Sequence, residues 1–213
     1  MRKMSHIAGK GKRTAYLTFD DGPLPNTKKI IELLGKHKIK ATFFVIGNTS
    51  RFGLRMYRAI ANRGHSIGNH TFSHNYAKIY SSKKAFLTDF YQLEKLLVRT
   101  IGKKPRIYRF PGGSESPPGY LYGGKQIYKK IKASLARKGY IDFDWHIDSF
   151  DSSPPFPSPF QIITKVLKES NEHKDRIILF HDFSDSTLAA LPDIIQGLKR
   201  RGYVFGVLKG RRT

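Results

Sequence analysis

Residues 14–46 read TAYLTFDDGPLPNTKKIIELLGKHKIKATFFVI, and this stretch decides the fold class. Thr14–Asp20 is a short run rich in aromatic and β-branched residues, as strands are. Lys28–Lys38 spaces Ile30, Ile31, Leu33 and Leu34 for one face of a helix. Ala41–Ile46 returns to an apolar strand. A strand, a helix and a second strand in so short a span read as a βαβ unit, whose crossover implies parallel strands.

The alternation continues to the end of the chain. Helical patterns cover Leu54–Asn62, Ala85–Ile101, Lys125–Arg137, Gln161–Lys168 and Leu188–Arg200. Strand patterns cover Ser66–Asn69, Arg106–Phe110, Tyr140–Ile147, Arg176–Phe180 and Tyr203–Leu208. Seven strands with helices between them predict an α/β domain with a mainly parallel sheet, closed into an incomplete barrel or left open and doubly wound. Asp20, Asp21, His70, Arg109, Asp151 and His181 all fall at or just past strand C-terminal ends, the face on which barrels carry their chemistry. No repeat or linker divides the chain; the proline-rich segment 152–159 lies inside the alternation. Residues 1–13 read as a basic extension and 14–213 as one domain.

The chain has 213 residues and no cysteine. Disulfides and thiolate metal sites are excluded, so any metal must use histidine and carboxylate. Lys and Arg number 39 against 16 Asp and Glu, a net charge of +23. That charge fits anionic partners such as nucleic acid, lipid headgroups or acidic wall polymers. The basic residues are scattered, which favours a solvated basic surface over one dedicated polyanion-binding face. No apolar run is long enough to span a membrane. Residues 1–13 lack the apolar middle of a signal peptide.

Asp20-Asp21-Gly22 closes the first strand. A strand ending in an Asp-Gly turn is common, but two adjacent carboxylates at the end of a buried strand repel unless something neutralises them. A metal on one would leave the other as a base. His70 and His74, four apart, share a face if they lie on a helical turn, and with Asp21 they make a two-histidine, one-carboxylate set with positions open for water and substrate. Arg109, before Pro111-Gly112-Gly113, is suited to clamping a carboxylate bidentately. One of Asp144, Asp148 and Asp151 is expected to orient a histidine. His181 ends an apolar strand and is either a core histidine or a proton donor tuned by a carboxylate.

Taken in order, TFDDG, HTFSH, RFPGG, WHIDSFD and LFH resemble the five motifs of the polysaccharide deacetylase family, the NodB-homology or carbohydrate esterase 4 domain. ATFFVIGN and GHSIGNHTFSH are similar to that family's wording as well. The resemblance implies a deformed (β/α)7 barrel and a divalent metal, zinc or secondarily cobalt, on Asp21, His70 and His74. It implies Asp20 as base held by Arg109, His181 as acid oriented by Asp151, Gly112 as oxyanion donor and Leu179 lining an acetyl pocket. Phe110 and Phe150 are further expected contacts to substrate. Two departures stand out. Ser152 replaces the tryptophan of the usual DSxDW, and Phe110 and Gly112 stand where many members carry Pro and Tyr.

The RFPGGS and WHIDSFD wording looks most like members acting on peptidoglycan. The expected reaction is therefore removal of N-acetyl groups from a cell-wall sugar. Chitin oligomers or acetyl xylan are the alternative substrates, and a non-catalytic polyanion-binding module is the alternative class. The expected partners are the acetylated polysaccharide and anionic wall polymers, without specific nucleic acid, for a monomer at the cell wall or outside the cell. The cytoplasm is the alternative location.

Overall fold

The structure, a computed structural model, describes residues 13–114, 117–170 and 174–210. Of the expected N-terminal extension, residues 1–12 lie outside the described residues, and Arg13 opens the first strand. In chain order the elements are β1 (Arg13–Asp20), α1 (Pro25–Lys36), β2 (Thr42–Val45), α2 (Arg51–Asn62), β3 (Ser66–Asn69), α3 (Tyr76–Ile79), α4 (Lys83–Ile101), β4 (Ile107–Tyr108), α5 (Pro117–Ala136), β5 (Ile141–Asp142), β6 (Ile147–Asp148), α6 (Pro159–Glu169), β7 (Arg176–His181), α7 (Asp185–Arg200) and β8 (Tyr203–Phe205). Among the described residues every strand pairing is parallel. Helices α2, α4, α6 and α7 begin on side-chain caps: Ser50, Ser82, Ser158 and Ser184 each accept a first-turn N–H, which satisfies donors the helix leaves open.

The strand order is β5-β4-β3-β2-β1-β7-β6, with β8 also beside β1. This order is cyclic: it counts down from five to one and continues with seven and six. A doubly wound sheet would reverse direction; a barrel cut open gives this sequence. The expected fifth strand, Tyr140–Ile147, supplies the closure and splits in doing so. The Phe143 N–H bonds Tyr108 O on one edge, and the His146 N–H bonds Ile177 O near the other. Three residues of extended chain reach at most ~11 Å, so the two edges must curl towards each other. The result is a single-domain deformed (β/α)7 barrel in which one expected strand supplies a short rung to each edge.

The period of two along β1 and β7 sorts side chains into layers. Leu17, Phe19, Ile178 and Phe180 face the outer core under the helices. In the register of β2, β1 and β7, the rings of Phe43, Phe19 and Phe180 stack with centroids 5.2 and 5.6 Å apart. Tyr16, Phe44, Ile107, Ile177 and Trp145 pack together on the other side of the sheet. Thr18 and Asp20, in step with Tyr16, share that inner side, as do Leu179 and His181 in step with Ile177.

The expected helix Lys125–Arg137 is the second part of α5; a non-helical Gly124 separates it from a first part starting at Pro117, inside a stretch expected to be loop. The four-residue α3 was not expected.

Candidate active site

Asp20 ends β1 and His181 ends β7, and the two are register partners on adjacent parallel strands. Neighbouring strands lie ~4.8 Å apart, so the sheet sets these inward side chains abreast before any loop contributes. Leu179 sits one inward position below His181 and is 3% exposed. The loops after β3 and β4 bring His70 and Arg109 to the same mouth.

Arg109 is fully buried, and each of its three guanidinium nitrogens is hydrogen-bonded. One terminal nitrogen bonds Asp20 Oδ1 at 2.8 Å and Thr18 Oγ1 at 2.9 Å, Nε bonds Phe143 O at 2.9 Å, and the other terminal nitrogen bonds Asp144 O at 3.3 Å. Its guanidinium lies 4.2 Å from the Phe44 ring centroid. The expected bidentate clamp is therefore absent: one nitrogen serves Asp20, because the rest of the fork holds the closing segment 143–144. Burial pushes the Asp20 carboxyl up to about 6, Arg109 and His181 opposing and Asp21 adding to the rise.

Asp21, His70 and His74 converge beside Asp20. Each offers one ligand atom, all within 4.8 Å of one another. His70 Nδ1 lies 2.9 Å from Arg109 O. A carbonyl only accepts, so Nδ1 carries the proton and the Nε2 lone pair is free, as a metal-ligating histidine requires. Burial, and then His74, push the His70 pKa well down and keep the ring neutral. Asp21 Oδ1 is shielded and has no hydrogen-bond partner, yet it lies 3.5 Å from His70 Nε2 and 3.2 Å from His74 Nε2. Neighbouring ligands on one tetrahedral zinc are separated by about 3.4 Å. An orphaned buried carboxylate oxygen between two imidazole nitrogens at that spacing fits a divalent ion. It is the one such group of three or more among the described residues.

The helical turn expected for His70 and His74 is not there. Residues 70–75 form an irregular loop in which Thr71 and His74 have φ of 70° and 51°. The rings still meet, with centroids 5.0 Å apart, because left-handed residues turn the chain back on itself.

On the other side of Asp20, His181 Nδ1 bonds Asp151 Oδ1 at 2.7 Å. Asp151 Oδ2 accepts the His181 N–H at 2.8 Å and the Thr187 hydroxyl at 2.5 Å. Burial disfavours the imidazolium, but the hydrogen bond and charge of Asp151 outweigh it and raise His181 to about 9. Of the three candidate aspartates only Asp151 touches His181: Asp144 accepts the Ser114 N–H and Asp148 the Phe150 N–H. Gly112, with φ of 77°, lies in the turn after β4. Phe150 is 47% exposed with Lys165 Nζ 4.4 Å from its ring centroid. Phe110 turns away from the Asp20 and His181 pair. It is 1% exposed and packs with Phe86, Tyr108 and Tyr128, since alternation after Arg109 sends it outward.

Three participants escaped the sequence reading. Asp89 on α4 is buried, and its Oδ1 accepts the N–H groups of Phe72 and Ser73 at 2.6 and 2.8 Å. Its signal was a carboxylate inside the apolar stripe of Phe86, Phe90 and Leu93. Asp182 is fully buried beneath the Asp20–Gly22 turn and accepts the Thr27 hydroxyl; a Cβ on Gly22 would collide with it. Burial pushes Asp182 up to about 7. Phe183 stacks on His181 with centroids 5.1 Å apart.

Residues 8–123 match the polysaccharide deacetylase family. Over 206 residues the chain is 35% identical to a peptidoglycan-N-acetylglucosamine deacetylase of Bacillus cereus, covering 94% of this chain and 71% of that one. Its fold is similar to the catalytic domain of a peptidoglycan N-acetylglucosamine deacetylase from Eubacterium rectale, with a TM-score of 0.89 and 32% identity over 97% of this chain and 93% of that one. It is also similar to a CE4 family pseudoenzyme from Bacillus anthracis, with a TM-score of 0.75 and 25% identity over 94% of this chain and 65% of that one. With these matches over most of its length, the chain belongs to the polysaccharide deacetylase family of metal-dependent hydrolases.

Proposed function

We propose that this deacetylase removes the acetyl group from N-acetylglucosamine in peptidoglycan, with Asp20 as base and His181 as acid. The carrying observation is the register pairing of these two residues beside the Asp21, His70 and His74 cluster. Asp21 Oδ1, His70 Nε2 and His74 Nε2 would hold the divalent ion, zinc ahead of cobalt. When bound, the ion supplies a Lewis acid for the acetamide carbonyl and for a water.

Asp20 takes the proton of the attacking water. Its Oδ1 is held by Arg109, which leaves Oδ2 free on the side of His70, 3.6 Å away. A carboxyl pushed up to about 6 is ionised at neutral pH yet basic enough to accept that proton. The Gly112 N–H is the assigned donor to the oxygen that gains charge at the carbonyl. His181 is held protonated through Asp151, and gives its Nε2 proton to the sugar nitrogen as the C–N bond breaks. Water and acetamide become acetate and a free amine.

Two observations support a glycan over a bare polyanion. Every motif residue for the chemistry is present, which a non-catalytic module would not need. Of the eight exposed large hydrophobic residues described, Leu121, Tyr122, Phe150, Phe156, Phe160 and Phe183 follow the C-terminal ends of β4, β6 and β7. The five aromatic rings among them suit the faces of sugar rings, and Phe150 lies two residues before Ser152, the position of the missing tryptophan. The relatives named above support peptidoglycan in particular, which would put the enzyme at the cell wall.

The test is acetate release from intact peptidoglycan, untreated, after chelation, and after zinc or cobalt is restored. Release that chelation stops and metal recovers is expected. Release from chitin oligomers but never from peptidoglycan would overturn the substrate; no release from any acetylated glycan with any metal would overturn the reaction.

A further inference from the structure

Beside the β4–α5 loop lies a small cavity of about 80 Å³, whose lining includes Phe110, Ser114 and, from α5, Tyr120, Lys125, Lys129 and Lys132. Its size suits a small polar group rather than a sugar ring, since pockets for whole ligands are several times larger. Lys125, Lys129 and Lys132 fall at i, i+4 and i+7, so they share one face of the helix. The buried face carries Ile127, Tyr128, Ile131 and Leu135.

Lys132 is paired with Asp142. Lys125 and Lys129 are exposed and have no acidic partner among the described residues. Two unpaired ammonium groups at the wall of one cavity repel each other, and an anion placed between them relieves that cost. Position ties this cavity to the chemistry. Ser114 lies two residues beyond Gly112, so their Cα atoms are within ~7 Å.

We propose that the Lys125–Lys129 cavity is a subsite for a carboxylate carried by the glycan itself, on the peptide substituent of the sugar next to the one being deacetylated. The inference rests on the peptidoglycan reading above and gives it a specificity element. A neutral acetylated chain such as chitin offers nothing to these lysines, whereas peptide-bearing glycan places carboxylates beside every second sugar. The contribution is to ground-state binding, so it falls on KM and weakens with salt.

The test is the Lys125→Gln/Lys129→Gln double variant, in which two exposed side chains keep their length and lose their charge. Expected on peptide-bearing glycan is a five- to tenfold rise in KM with kcat within twofold, a weaker salt dependence, and unchanged kinetics on chitin oligomers. Equal losses on both substrates, or no change on the peptide-bearing one, would overturn the subsite. A second measurement stands apart from turnover: binding of muramyl dipeptide to the zinc-loaded protein, followed by NMR shifts in α5. Shifts at Lys125 and Lys129 that vanish in the double variant support the subsite even if the unaltered enzyme releases no acetate, an outcome that would sink only the deacetylase reading. Binding of polyglycerol phosphate without binding of the dipeptide would overturn it in favour of a phosphate polymer.

Discussion

Asp20 and Asp21 are neighbours in sequence and differ in every physical respect. Asp20 continues the pleat of β1 and points inward to Arg109. A strand that ran on would send Asp21 to the opposite face; instead its φ of 70° turns the carboxylate back towards the histidines. Aspartate tolerates this left-handed conformation better than most side chains. Separate roles follow, and Asp20→Asn tests them. The amide keeps shape and an acceptor for Arg109, so metal content should stay at the level of the unaltered protein while turnover falls ~10²–10⁴-fold. Normal turnover would remove Asp20 as the base. At His181, Asp151 raises the pKa, and an acid works only while protonated. Activity is therefore lost as pH rises through the His181 pKa of about 9. Asp151→Asn removes the charge that raises it, so the alkaline limb of kcat should move to lower pH. An unmoved limb would show that another group sets it.

Elements hold what residues alone cannot. The loop 70–75 owes its shape to a helix: Asp89 of α4 takes up two of its N–H groups and is ion-paired with Lys78 at 3.1 Å. Asp89→Ala would leave two part-buried N–H donors unpaired, at up to ~1–3 kcal/mol each, and free His74 from its place. Loss of a supporting contact of this kind typically costs 10–100-fold in metal affinity, and zinc titration should show a loss in that range. Asp89→Asn keeps one acceptor oxygen and should retain most of the affinity. Equal affinity in all three proteins would mean the loop is held by other contacts.

For the whole molecule the metal site is also a clamp. Its ligands come from the end of β1 and the loop after β3, strands separated by β2. An ion bound only by the folded chain stabilises it by ~2.7 kcal/mol at a hundredfold excess over Kd. For a chain of this size that is a rise in Tm of about 5–10 °C. Thermal unfolding with zinc and with chelator should show the difference, and His74→Ala should lose most of it while keeping the cooperative unfolding of the metal-free protein. A His74→Ala protein that gains as much from zinc would overturn the ligand assignment.

The sequence by itself determined the order of strands and helices, the parallel sheet and the residues able to do chemistry, because periodicity and side-chain type are local properties. It left open which of Asp144, Asp148 and Asp151 faces a histidine, since turn-forming and catalytic aspartates look alike until the chain is folded. It also misjudged the backbone of 70–75. Tertiary structure alone decided the closure through Phe143 and His146, the spread of Arg109 over four acceptors, and the support from Asp89 and Asp182. In each case the deciding contact joins segments distant in sequence, and no local pattern carries it.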